Sequence, residues 1–127
     1  MERAVQIWVA IQLLFIGLSH VLQPRVWVDF MIRLRGLGHT GVFVNSMLSL
    51  SFGTVIVAGH PIWHGVPVVI TLLGYMQLLK ALIGLTCPQL PMRALDRVSM
   101  ERAWEISAAG GVFLVLSAVS WYVVAAG

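Results

Sequence analysis

The stretch Val66–Thr86, VPVVITLLGYMQLLKALIGLT, decides the architecture, and Lys80 is its only charge. It matches the roughly 20 residues that a helix needs to cross about 30 Å of hydrocarbon. No water satisfies backbone amides inside a bilayer, so a run of this length is expected to be helical. Strands of a membrane barrel would be shorter and would alternate in polarity, which this stretch does not do.

Three more runs of the same kind lie around it. Ala4–Leu22 is interrupted only by Gln6, Gln12, Ser19 and His20. Leu37–Gly59 is closed by His60-Pro61, because proline cannot continue the helical ladder. Trp104–Ala126 comes last. The spans 4–22, 37–59, 66–86 and 104–126 are read as one transmembrane domain over residues 1–127. Composition agrees, with 59% hydrophobic and 10% charged residues, against a charged share of about 25% in soluble domains. A soluble domain this small could not hide so much apolar surface. The fold class expected is all-α, an antiparallel four-helix bundle in the membrane. The first run competes with a cleaved signal peptide, but Met1-Glu2-Arg3 carries little positive charge and the run is read as a retained helix.

The connectors carry the charge. In Arg25–Arg35, residues Arg25, Asp29 and Arg33 recur every four positions, which puts them on one helical face and allows i,i+4 pairing. Trp27, Phe30, Met31 and Leu34 fall on the opposite side, as in a helix lying at the headgroups. Met92–Glu105 repeats the theme less regularly, and extension of the spanning helices is the alternative for both segments. Six arginines (25, 33, 35, 93, 97 and 102) share one side of a four-span topology, against Arg3 alone on the other. The positive-inside rule then makes their side cytoplasmic and both termini external. The lipid bilayer is the expected partner, with Arg25, Arg33, Arg93 and Arg97 suited to anionic headgroups. The net charge of +3 does not imply nucleic acid, because no basic run with interleaved aromatics is present.

Small residues recur along the spans. Gly41, Asn45, Ser49 and Gly53 form one stripe, and Gly74, Gln77, Ala81 and Gly84 form another. Ser107, Gly111 and Ala118 share a side of the fourth span, as do Ala10 and Gly17 of the first. Such stripes let membrane helices approach closely, and they are read as packing seams.

Few residues carry chemistry. Lys80 is the only ionisable residue well inside a span, which makes it a functional candidate. It also lies close enough to the helix end to snorkel its ammonium outward. Gln77, one turn earlier, would form a polar centre with it. His20 and His39 end the first span and begin the second, where two imidazoles could ligate a haem. His60 and His64 lack the further ligands of a complete metal site, and no metal is expected. Cys87 has no partner in the chain; it is read as a free thiol, with acylation the alternative. Trp27, Trp63 and Trp104, with Trp8 and Trp121, are read as boundary anchors. No nucleophile–base pair, phosphate loop or paired carboxylates are present.

His60-Pro61-Ile62-Trp63, Thr71-Leu72-Leu73-Gly74-Tyr75, Lys80 and Pro88 together resemble a family of small uncharacterised bacterial inner-membrane proteins. Its pattern is a tryptophan turn, a T-x-x-G-[WY] segment, a later lysine and a closing proline. The resemblance covers the third span and its flanks and implies four helices in an inner membrane, with no activity attached. Gly17-Leu18-Ser19-His20 and Pro24 are more weakly similar to DoxX-like membrane proteins. The function expected is non-enzymatic: a self-associating bundle or an accessory subunit of a larger membrane complex. The alternative is cofactor or solute handling, by haem at His20 and His39 or by protons or anions at Lys80.

Overall fold

The structure, a computed structural model, describes residues 1–127. It is all-α. Four long helices, α1 (Glu2–Leu22), α3 (His39–Gly59), α4 (Val68–Thr86) and α6 (Ala103–Ala126), form an antiparallel bundle. Each is long and apolar enough to cross a membrane. Two short helices, α2 (Pro24–Gly36) and α5 (Gln89–Asp96), lie at the end of the bundle opposite the termini.

The first connector is a helix of its own, α2, and the second contains α5, but its last residues, Met100–Glu105, run straight into the fourth span as an extension of it. Gln23 breaks the chain between α1 and α2, where Pro24 starts the new helix at a position whose amide is unpaired anyway. Gly38, at φ +64°, turns α2 into α3 in a conformation that an L side chain rarely adopts. Asp29 and Arg33 pair at 3.0 Å on the exposed face of α2, as their spacing predicts. The apolar side of α2 rests partly on the bundle, and Val28 is fully buried. Trp27 does not lie free among headgroups. Its indole donates to Ser19 Oγ at 2.8 Å and its ring stacks on His20 at 4.1 Å between centroids. Arg35 ties the two connectors together by donating to the carbonyls of Leu95 and Val98, each at 3.3 Å.

The four spans associate as two close pairs, α1 with α6 and α3 with α4. Lipid tails are as apolar as leucine, so close van der Waals packing and interhelical hydrogen bonds hold such pairs. In the α3–α4 seam, a Cβ on Gly53 would stand 2.8 Å from the Gly74 carbonyl oxygen and 3.0 Å from Leu78 Cγ. Ser46 fills the space over Gly84. In the α1–α6 seam, a Cβ on Gly110 would stand 2.6 Å from His20 Cβ and 2.9 Å from the Gly17 carbonyl. Ser117 Oγ donates across the same seam to the Ala10 carbonyl at 2.8 Å. Larger side chains join the pairs: Val5, Val9 and Leu13 of α1 meet Ile56, Ile70 and Val123 in the core.

Two of the expected seams are displaced. On α6 the packing glycine is Gly110, while Gly111 has nothing within 4 Å of a would-be Cβ. Adjacent residues of a helix point about 100° apart, so only one glycine of the pair can face α1, and the bulk of His20 selects the first. On α3 the buried line runs through Val42, Ser46, Ser49, Gly53 and Ile56. Asn45 falls beside it, and Gly41 packs under the Leu34 carbonyl of α2 instead of against another span.

Candidate functional site

A groove of about 570 Å³ opens on the flank of the α3–α4 pair, beside the connectors. Its wall is Val42 and Asn45 of α3 with Met76, Leu79, Lys80 and Ile83 of α4. The apolar face of α5 closes its end through Leu90, Pro91, Ala94 and Leu95, helped by Met31 and Val98. Residues 90, 91, 94 and 95 share one side of α5, which leaves Arg93 to the other. Pro91 is tolerated because it lies in the first turn of α5, where the amides have no intrahelical acceptor. Met76 and Leu79 are themselves largely exposed, so the groove is open sideways.

Lys80 and Asn45 are the only side chains with a strong polar group in this lining. Lys80 is the only lysine of the chain. It stands six residues before the end of α4, which is about 9 Å along the axis. The chain's one ion pair is Asp29–Arg33, on the far face of α2. None of the side-chain hydrogen bonds within the chain involves Lys80 or Asn45. The site therefore offers an ammonium and an amide in apolar surroundings, with no protein acceptor for either.

Gln77 lies one turn from Lys80 but lines a different cavity. The two point about 60° apart on α4, and the Gln77 cavity, of about 180 Å³, lies between the four spans, with Ser49 and Phe113 in its lining. Asn45 is the polar neighbour that sequence reasoning assigned to a packing stripe. No periodicity marks it out, because the groove it lines is shared by α3, α4 and α5.

The histidines are set apart by their surroundings. His20 is buried, donates Nδ1–H to the Ile16 carbonyl at 2.8 Å, and is sandwiched by Trp27 and Phe113. His39 is exposed at the start of α3, and none of the five main cavities is lined by both. His64 is exposed, whereas His60 is fully buried at the opposite end of the bundle from the groove. Thr71 must spend its proton on the His60 or Ile62 carbonyl, at 2.9 and 2.7 Å. His60 Nδ1–H therefore donates to Thr71 Oγ1 at 2.9 Å, and Nε2 accepts from the Gln6 amide at 3.0 Å. Both ring nitrogens are occupied, so neither is left to bind a metal with His64. Burial pushes the His60 imidazole below its ordinary value, against the opposing pulls of its own backbone carbonyl and of Glu2. This links α1, the 60–67 turn and α4 through one neutral side chain.

The remaining candidates lie on the surface. Arg25, Arg33, Arg93 and Arg97 are exposed around α2 and α5. Cys87 is an exposed thiol just past α4. Trp63 and Trp104 are exposed as boundary residues would be, while Trp8 packs on Phe52 at 4.7 Å. Comparison with protein-family models, with curated proteins and with solved structures finds no match for this chain.

Proposed function

We propose that this chain is a non-enzymatic protein of a bacterial inner membrane that holds an anionic ligand in the Lys80 groove. The observation that carries the reading is an ammonium with no carboxylate partner, set beside Asn45 in an otherwise apolar, laterally open groove. A charge at membrane depth is costly, and such residues mark ligand or ion pathways. An anion at this place would offset that cost and would satisfy the Asn45 amide as well. With six arginines on the connectors and one at the other end, the groove lies at the cytoplasmic boundary and both termini lie outside.

The absence of any nucleophile–base arrangement on the groove wall argues for holding over turnover. Native mass spectrometry of the protein released gently from its membrane tests the reading. Wild type should retain anionic lipid or amphiphile adducts, Lys80→Arg should keep them, and Lys80→Met should lose most of them. Loss of a hydrogen-bonded charge contact is expected to reduce occupancy about ten-fold. Equal adducts on all three proteins would sink the proposal.

A second reading, self-association or service as an accessory subunit, is favoured by the outward side of α6. There Ala108 and Ala118 are exposed beside Gly111, which has open space around it, a surface on which another helix could pack closely. The same spectra decide it: masses at multiples of the protomer support assembly, and a lone protomer removes it.

A further inference from the structure

We infer that the ligand of the groove is a single-chain amphiphile with a carboxylate head, of the fatty-acid type. This rests on the anion-holding reading and adds the identity of the head and of the tail.

The head follows from charge and from hydrogen-bonding capacity. Lys80 is the only cation in the lining, so one negative charge is neutralised and a second would stay uncompensated in apolar surroundings. That disfavours a phosphate monoester, which carries close to two charges near neutral pH. A carboxylate has two oxygens to place: one accepts from the Lys80 ammonium and the other from the Asn45 amide. Both donors are without partners inside the chain.

The tail follows from depth and openness. Lys80 lies about 9 Å in from the end of its helix, with α5 closing the groove between it and that end. A carboxylate is small enough to sink that far with little else to dehydrate. Leu72, Met76 and Leu79 continue the exposed apolar flank of α4 from the groove toward the middle of the bilayer. A chain anchored at Lys80 would lie along this strip, while Leu90 and Leu95 shield the head from the aqueous side. The groove's volume of about 570 Å³ falls within the roughly 300–1,000 Å³ of small-ligand sites.

The single lysine makes the test direct. Protein labelled with [¹⁵N]lysine and held in an uncharged detergent carries one side-chain ammonium resonance. Dodecanoate should shift it saturably; acetate and dodecanol at the same concentrations should leave it in place. By calorimetry, dodecanoate should bind Asn45→Leu and Lys80→Met about ten-fold more weakly than wild type, and Lys80→Arg within about three-fold. Lys80 is exposed on the flank of α4, and Asn45 is half-buried without a side-chain partner and is replaced by an apolar residue of similar size, so these variants are expected to fold. A saturable shift with dodecyl phosphate but none with dodecanoate would overturn this inference and leave the anion-holding reading standing. Silence toward both, or equal binding of dodecanol, would overturn the two together.

Discussion

At the scale of single residues, two polar side chains of the same rank in the sequence behave differently. Lys80 has no internal partner and faces an open groove, while His60 has every hydrogen-bonding position filled. The depressed proton affinity of His60 has a definite consequence for stability. Its ordinary value is 6.5 and its folded value is lower, so between the two the unfolded chain binds more protons than the folded one. The stabilising effect of the neutral imidazole is complete above pH 6.5 and is lost as pH falls from there toward the folded value. The melting temperature should thus decline on acidification from pH 7.5 to about 5. In His60→Gln the baseline should be lower and the acid slope shallower. An identical acid slope in both proteins would show that another group is responsible.

Among the elements, the seams set the tolerances. Gly110→Ala would drive a methyl into His20 and the Gly17 carbonyl, and overpacking of this kind costs about 1–3 kcal/mol. Gly111→Ala, one position on, meets nothing within the protomer and should leave its stability unchanged or raise it by up to about 1 kcal/mol, the propensity gain of alanine over glycine. Thermal unfolding of the two variants in detergent measures the contrast. If Gly111→Ala proved the more damaging, the register of α6 against α1 would be wrong. The pair also shows why the seam was only half legible in the sequence. A Gly-Gly step announces a close approach without saying which glycine makes it, and the choice was made by His20 on a helix about ninety residues away. Likewise Gln77 and Lys80 share a helix turn, yet the bulk around them sends one inward and the other to the flank.

At the scale of the whole molecule, both connectors lie at one end of the bundle, joined there by Arg35. Their arginines therefore act as one positive rim. A reporter active only outside the cytoplasm should give signal when fused to either terminus, and a cytoplasmic reporter should give none. The reverse pattern would invert the topology and place the Lys80 groove at the external face. The groove itself belongs to this scale, because its wall comes from α3 and α4 and its cover from α5.

The sequence by itself determined four helices, their limits and the sorting of charge. Their starts lie within two residues of the apolar runs and their ends coincide with them, because helical backbone pairing and its breaking at proline and glycine act on contiguous residues. It also determined the break at His60-Pro61 and the ion pair on α2, both local effects. Tertiary structure alone decided which glycines meet, that His60 closes a network with Gln6 and Thr71, and that Asn45 lines a groove with Lys80 while Gln77 lines another cavity. Each of those depends on the rotation of one helix about its axis relative to another. That rotation is set by side-chain bulk on distant segments, which no local spacing records.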